Sequence, residues 1–469
     1  MNTQPKKQLP YGNADFKKIR ADNFIYIDKT RFIEALEKES NSSQIFIRPR
    51  RFGKSLLLST LTYYYDVNYA DEFERLFGDL YIGQHPTPRR NSYAVMNFDF
   101  SGLDTARGAE AFIVSFCSKI RNYACRFLAD HKNIFPNTEE IIRQMYEEPP
   151  TLEVMERVFS VAKSANIQVF VIIDEYDHFA NDLIAMGTAQ GNDFYKHVVK
   201  ANGIVRDFYE TIKSATTFSI VDHTFITGIS PVMLGDLTSG YNIATNLTRE
   251  VLYNEMLGFT REEVERLMAE IGIGVNQLNV DIEYYYNGYL FHGAGENKVY
   301  NPSMMLYFFN QWSKTGKSPE NLIDPNLCMD PIRLKRLTQS DHNRDILIKI
   351  IKEGHILSNV LEKFSLDKLS DDSYFISLLF YMGLLTIKES YLNKLYLVIP
   401  NYSIQQVYWE QIRLHIEANS QQITMNTDLV EETIYAMAME GTIEGFIDYI
   451  SKNAFSKLSA FDLQRFDEK

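Results

Sequence analysis

Two stretches of the chain hold residues whose types and order suit chemistry on phosphates. Arg48-Pro49-Arg50-Arg51-Phe52-Gly53-Lys54-Ser55 carries the closing half of a phosphate-binding loop, G-x-x-x-x-G-K-[ST], with Arg48 where the first glycine belongs. In such a loop Gly53 lets backbone N–H groups approach phosphate oxygens. Lys54 reaches the β and γ oxygens, Ser55 ligates Mg²⁺, and the helix beginning near Leu56 turns its positive end toward them. The second stretch, Val169-Phe170-Val171-Ile172-Ile173-Asp174-Glu175, is an apolar run ending in adjacent carboxylates, as a Walker B strand does. Asp174 would hold the Mg²⁺ shell, and Glu175 would orient and help deprotonate the attacking water. The expected catalytic residues are therefore Lys54, Asp174 and Glu175, and the expected metal ligands are Ser55 and Asp174. Arg50, Arg51, Phe52, Gly53, Lys54, Ser55 and Leu56 form the expected nucleotide loop, with ATP as substrate.

A third apolar segment, Phe225-Ile226-Thr227-Gly228-Ile229-Ser230-Pro231, ends in small hydroxyl residues. Thr227 and Ser230 are candidates for sensing the γ-phosphate, or simply a strand end closed by a turn. Arg50 and Arg51 are open to three roles: stabilising phosphate charge, packing on the loop, or reaching a neighbouring subunit. Arg206 and Arg249 are weaker candidates for reaching a neighbouring subunit and read rather as solvated surface residues, and His178 reads as a hydrogen-bonded structural residue. Cys117, Cys125 and Cys328 form no CxxC pair and no metal spacing, and are expected as buried thiols in a reducing compartment.

The elements needed to position these residues follow from hydrophobic patterning. Gln44 to Ile47 reads as a strand, followed by the polar loop and then by Leu56, Leu57, Leu58, Leu61 and Tyr64 as a helix. Ala94 to Phe100 reads as a second strand, and Ala111 to Phe127 as an amphipathic helix. Val169 to Ile173 has the continuous branched apolar character of a strand buried on both faces of a parallel sheet. Phe218 to Ile220 and Thr224 to Ile229 are further strand candidates, with helices such as Asp193 to Lys213 between. Alternating strands and helices imply a three-layer α/β domain. From about residue 255 helices dominate, beginning at the Thr260 N-cap before Glu262, Glu263, Val264 and Leu267. Asp372 to Met382 reads as a helix stopped by Gly383, followed by strands at Leu384 to Ile387 and Leu395 to Ile399, the ending of a winged-helix module.

Among 469 residues, 45% are hydrophobic and 13% aromatic, a globular composition long enough for two to four domains. A net charge of −13 excludes a chain that coats nucleic acid nonspecifically, which needs many cations against phosphate. The N-terminus lacks the apolar stretch of a secretory signal, and the longest apolar runs fall far below the roughly 20 residues of a membrane span. A cytoplasmic protein without membrane contact is expected.

LPYGNADF at 9–16, YIDKT at 26–30, RPRRFGKS at 48–55, VIIDEYD at 171–177, FITGISPV at 225–232, GYNIATNL at 240–247, YNGYLF at 286–291 and VYNPSMM at 299–305 resemble, in order, the AAA-ATPase-like family of bacterial proteins. Arg48 in place of the first glycine belongs to that family's pattern. The resemblance implies a P-loop NTPase (AAA+-like) core over residues 1–255, a helical lid over 256–365, a winged-helix-like segment over 366–402 and C-terminal helices over 403–469. It brings Tyr26, Asp28 and Lys29 toward the nucleotide base, and it implies a Mg²⁺-dependent ATPase acting as a conformational switch. Relatives of this kind often carry a PD-(D/E)XK nuclease. Residues 401–469 lack its E…D…E-x-K constellation, so nuclease activity is not expected, whether the chain is truncated or the nuclease is absent. Bacterial defence is the implied setting, and a homo-oligomer the implied assembly. The alternative reading is a nucleic-acid-binding module, with nucleotide as a structural ligand of a pseudo-ATPase and with Lys388 and Lys394 flanking the wing beside Asp371, Asp372 and Glu389.

Overall fold

The computed structural model describes residues 7–186, 189–200, 202–236, 241–274, 277–324, 341–363, 371–419, 427–440 and 442–453. Cys328 and the last residues of the C-terminal region lie outside them. The chain divides into two compact units, Met1–Ile404 and Gln405–Lys469.

The first unit is built on a five-stranded sheet. Its strands are β1 (Ser43–Ile47), β2 (Ala94–Asp99), β3 (Val169–Asp174), β4 (Val221–Gly228) and the short β5 (Thr245–Asn246). All pairings are parallel, and the order is β2-β3-β4-β1-β5. Every residue of β1, and β3 up to Ile173, is buried. Such strands need cover on both faces, because a parallel sheet has no face to give to water. Helices supply it: Lys54–Tyr65 lies on β2 and β3, Ala109–Asp130 on β2, and Ile204–Thr217 on β4. The first unit therefore has a three-layer α/β core with a parallel sheet. β4 separates β1 from β3, so the loop after β1 and the acids after β3 emerge at the same edge, where open parallel sheets take their ligands.

Two expectations are corrected here. Phe218–Ile220 is the turn that closes the helix Ile204–Thr217, and β4 begins at Val221. The apolar Phe218 that invited a strand assignment is exposed, whereas the true strand opens with Asp222, His223 and Thr224, which interrupt its apolar run. The helical stretch across Asp193 to Lys213 is two helices, Ala189–Val199 and Ile204–Thr217, with Gly203 before the second.

Beyond the sheet, Arg261–Ile271 and Pro302–Thr315 pack through Val264, Leu267, Met268, Met305, Phe308 and Phe309. Ile25, from the segment preceding β1, enters this same cluster, so the leading segment packs on these two helices. The Thr260 cap is a full capping box: Glu263 N donates to Thr260 Oγ1 at 3.3 Å, and Thr260 N donates to Glu263 Oε2 at 2.8 Å. Gly258 is required for two reasons. Its φ is +96°, and a Cβ there would lie 2.6 Å from Val299 Cγ2.

The helix Asp372–Tyr381 leads into β7 (Thr386–Tyr391) and β8 (Lys394–Val398), joined antiparallel to β6 (His355–Ser358) in the order β6-β8-β7. In the second unit, Thr427–Glu440 and Glu444–Asn453 pack on each other. Among the described residues, no helix is long and apolar enough to cross a membrane.

Candidate nucleotide site

The loop 48–53 leaves β1 and bends sharply into the helix Lys54–Tyr65. Arg51 has φ +68° and Gly53 φ +93°, left-handed positions on either side of Phe52, the kind of alternation from which anion nests are built. The cost of placing a non-glycine residue in this region is roughly 1–2 kcal/mol, and Arg51 is held there by its surroundings. Ser303 Oγ donates to Arg51 O at 3.0 Å, while Asn301, N-cap of the helix Pro302–Thr315, donates to Arg50 O at 3.5 Å.

Arg48 explains how the loop dispenses with a first glycine. Its side chain leaves the loop and is buried at 1% exposure. Nη1 donates to Ile47 O (2.9 Å) and Thr248 O (2.8 Å), and Nη2 to Tyr253 O (2.8 Å). The guanidinium lies 4.1 Å from the Phe46 ring centre and 3.9 Å from that of Phe291, a cation–π sandwich. Phe52 is also buried, edge-on to Tyr289 and Phe291. Arg48 and Phe52 therefore anchor the loop, and residues 50–57 line a cavity of about 590 Å³.

In the lining of that cavity, Ser55 Oγ donates to Asp174 Oδ2 at 2.7 Å, which brings the two stretches singled out by their chemistry into direct contact. Lys54 Nζ donates to Arg48 O (3.0 Å) and Pro49 O (2.9 Å), folded back on its own loop. Burial lowers its ammonium pKa to about 8, against the opposing charges of Asp174, Asp177 and Glu175. Burial also raises the Asp174 carboxyl, with the Ser55 hydroxyl and Lys54 acting the other way. Glu175 is held low, chiefly by a hydrogen bond from His178, whose Nδ1 is 2.9 Å from Glu175 Oε2. Ser55 Oγ and Asp174 Oδ2 are hard oxygen donors of the kind Mg²⁺ takes, and a carboxylate destabilised by burial gains from a cation, so the residues fit that ion.

The same cavity is also lined by apolar side chains, among them Ile25, Ile27, Leu57, Leu257, Phe259 and Leu306. Tyr26 and Lys29 line it too; Tyr26 lies 3.4 Å from Thr60 Oγ1, and Lys29 Nζ is bound to Glu263 Oε2 (2.6 Å) and Glu255 O (3.0 Å). Asp28 does not line it: its carboxylate accepts from Thr30 N, Thr30 Oγ1 and Tyr81 N, bracing the entry to the helix Arg31–Lys38. Arg50, Arg51, Gly53 and Leu56 are in the lining, with both arginines exposed.

Thr227 and Ser230 stay outside the cavity lining. Thr227 Oγ1 donates to Phe46 O at 2.7 Å, and Ser230 Oγ to Asp177 Oδ2 at 2.8 Å. Arg206 pairs with Glu210 at 2.8 Å. Arg249, expected as solvated surface, is partly buried and donates to Val360 O at 3.0 Å. Cys117 and Cys125 are buried thiols. Sequence reasoning missed the link between His178 and Glu175, although the i,i+3 spacing at a helix start was a usable signal. It also missed Asn301 and Ser303 as holders of the loop, which only their N-cap chemistry before Pro302 hinted at. Tyr11, donating to Asp324 at the cavity edge, had no local signal at all.

Residues 10–238 match the family AAA-ATPase-like, described as "Predicted AAA-ATPase". A protein of Azotobacter chroococcum mcd 1, described as an uncharacterized protein in the vnfD 5′ region, is 27% identical over 333 residues, 68% of this chain. The chain spans 56% of that curated relative's length. Among solved structures, a Walker-type ATPase of Pyrococcus abyssi aligns with a TM-score of 0.42 at 14% identity, covering 87% of this chain and 99% of that one. The Aeropyrum pernix ORC2 protein, in complexes with ADPNP and ADP, aligns with a TM-score of 0.38 at 11% identity, covering 89% and 98%.

Proposed function

Residues 10–238 belong to the AAA-ATPase-like family of predicted AAA-ATPases, and from that premise we propose that this chain binds ATP with Mg²⁺ and hydrolyses it as a conformational switch. Membership supports ATP binding and hydrolysis in general. The observation that carries the finer reading is the 2.7 Å contact between Ser55 Oγ and Asp174 Oδ2, two residues that line one cavity together with the loop residues 50–54 and apolar side chains.

The triphosphate would lie along residues 50–55 on the positive end of the helix Lys54–Tyr65, with Lys54 exchanging its carbonyl partners for β and γ oxygens. Bound Mg²⁺, held by Ser55 and Asp174, would neutralise phosphate charge. Glu175 takes the proton of the attacking water as its oxygen bonds to the γ-phosphorus and the bond to the bridging oxygen breaks, leaving ADP and phosphate. The base would lie against the apolar side chains, between the segment Tyr26–Lys29 and the lid. Thr227 and Ser230 would serve the site indirectly, as braces on Phe46 O of β1 and on the Asp177 carboxylate beyond β3.

The switch follows from what grips the loop. Ser303 and Asn301 of the lid hold the carbonyls of Arg51 and Arg50, and Lys29 holds Glu263 at the cap of the helix Arg261–Ile271. A loop rearranged by phosphate would pull on both lid helices. Control of a nuclease or other DNA-directed effector in bacterial defence is the output this switch would serve, and Arg50 and Arg51 at the cavity rim would be available to a neighbouring copy. Contact with nucleic acid would fall to the hairpin β7–β8, where Lys394 is exposed beside Tyr391 and Leu392.

Phosphate release from ATP tests the reading. Wild type should release phosphate with Mg²⁺ and stop in excess chelator, and Lys54→Ala should be inactive in both. Equal release by wild type and Lys54→Ala would reject it.

A further inference from the structure

Resting on the ATPase reading above, we propose that His178 is a positioning residue for hydrolysis, fixing the carboxylate of Glu175 so that its remaining oxygen faces the attacking water. Three independent features of the strand end lead to this.

The first is backbone geometry. Glu175 has φ +51°, a left-handed conformation that a long non-glycine side chain rarely takes, and one that functional sites retain at a cost. It is held there from both sides: Glu175 N donates to Asp174 Oδ1 at 2.9 Å, and Tyr176 N donates to Thr227 O at 3.2 Å. His178 N then closes the turn on Glu175 O at 3.0 Å. The turn therefore aims the Cα–Cβ bond of Glu175, but it leaves the rest of a three-torsion side chain unspecified.

The second is the side-chain contact that supplies the missing restraint. His178 Nδ1 lies 2.9 Å from Glu175 Oε2. A carboxylate accepts and cannot donate when ionised, so Nδ1 carries the hydrogen. On its other side Nε2 is 3.6 Å from Asp182 Oδ2, one helical turn along His178–Met186, a distance of charge proximity and not of a hydrogen bond. The restraint on Glu175 is therefore the Nδ1 contact, a neighbouring group fixing the orientation of a reacting one.

The third is location. Glu175 and His178 both line the nucleotide cavity, alongside Ser55 and Asp174. A histidine that served only to close the helix start would be satisfied by backbone; this one spends its δ nitrogen on the carboxylate next to the expected metal ligand.

Steady-state ATP turnover and equilibrium ATP binding by the full chain, in wild type, His178→Ala, His178→Asn and His178→Gln, test this. Asn offers an amide hydrogen near the position of Nδ1, whereas Gln offers one near Nε2. The expected result is a kcat roughly ten- to hundredfold lower in His178→Ala, as misplaced catalytic groups cause. ATP affinity should stay within about twofold of wild type by the same reasoning, because no substrate contact is lost. His178→Asn should recover most of the rate and His178→Gln little of it. A His178→Ala protein that hydrolyses as fast as wild type overturns the assignment alone, as does equal loss of kcat and affinity in His178→Asn and His178→Ala, which marks a structural role. Should His178→Ala fail to fold, Asn against Gln decides: a faster Asn protein supports the proposal and equal rates overturn it. A wild type that binds ATP without hydrolysing it overturns the hydrolysis reading and the role of His178 together.

Discussion

β3 and β4 are neighbouring parallel strands that both carry polar groups out at the same edge of the sheet, yet they end differently. After β3, Asp174 and Glu175 turn into the cavity and bind groups that a ligand could displace or share: a serine hydroxyl and a histidine ring. After β4, Thr227 gives its hydroxyl to Phe46 O, and Ser230 gives both its N–H and its hydroxyl to Asp177. Asp177, wholly buried, also accepts from Ile229 N and Asn181. The β4 end is thus a closed hydrogen-bond network that holds the β3 end in place. What separates a site from its support is whether the polar groups are committed to backbone, more than where on the strand they sit.

The largest effect should come at the β3 end. Glu175→Gln keeps the size of the side chain and removes its basicity, so turnover should fall roughly 100-fold or more while ATP binding persists, checked by phosphate release and by equilibrium titration. Turnover near wild type would remove Glu175 from the chemistry. At the β4 end the effect should be on folding. Asp177→Ala leaves Ile229 N and Ser230 N buried without their acceptor, and a loss of about 2–4 kcal/mol in chemical denaturation is expected; an unchanged midpoint would mean that this network is not what supports the site. Thr227→Val should cost about 1 kcal/mol of stability and leave turnover little altered. A large loss of turnover at unchanged stability would instead make Thr227 part of the reacting end.

A fully committed pair away from the cavity extends the comparison to pH. His131 donates toward Asp66, the C-cap of the helix Lys54–Tyr65, with Nε2 3.1 Å from Asp66 Oδ2, and its Nδ1 lies 2.8 Å from Phe127 O. Burial by itself lowers its pKa, but the hydrogen bond and charge of Asp66 and the Phe127 carbonyl outweigh that, and the net shift is upward. A raised folded pKa means stability that is full below the unfolded value of about 6.5 and is lost as pH rises through the folded one. Thermal unfolding should show that decline in wild type and a flatter one in His131→Gln; equal slopes would refute it.

The parallel core was legible because strands buried on both faces leave continuous apolar runs, as β1 and β3 do. β4 was harder, since Asp222 and His223 break its run while exposed Phe218 imitates a start. The Thr260 cap was readable because both partners of a capping box lie within one turn. At the site, residues 53–55 and 174–175 are local words and could be read directly. Arg48 could not be: its partners Thr248, Tyr253 and Phe291 lie about 200 residues or more along the chain, and only the fold brings them to the loop. His178 was visible at the right spacing, but its meaning depended on the turn that Glu175 makes at φ +51°.

The central claim is that the cavity beneath residues 48–55 takes ATP with Mg²⁺, and calorimetric titration of Mg·ATP into wild type and Lys54→Ala tests it most directly. The account predicts saturable binding near one equivalent in wild type and none measurable in Lys54→Ala under the same conditions. Indistinguishable isotherms from the two proteins, or no heat of binding in a folded wild type, would contradict it.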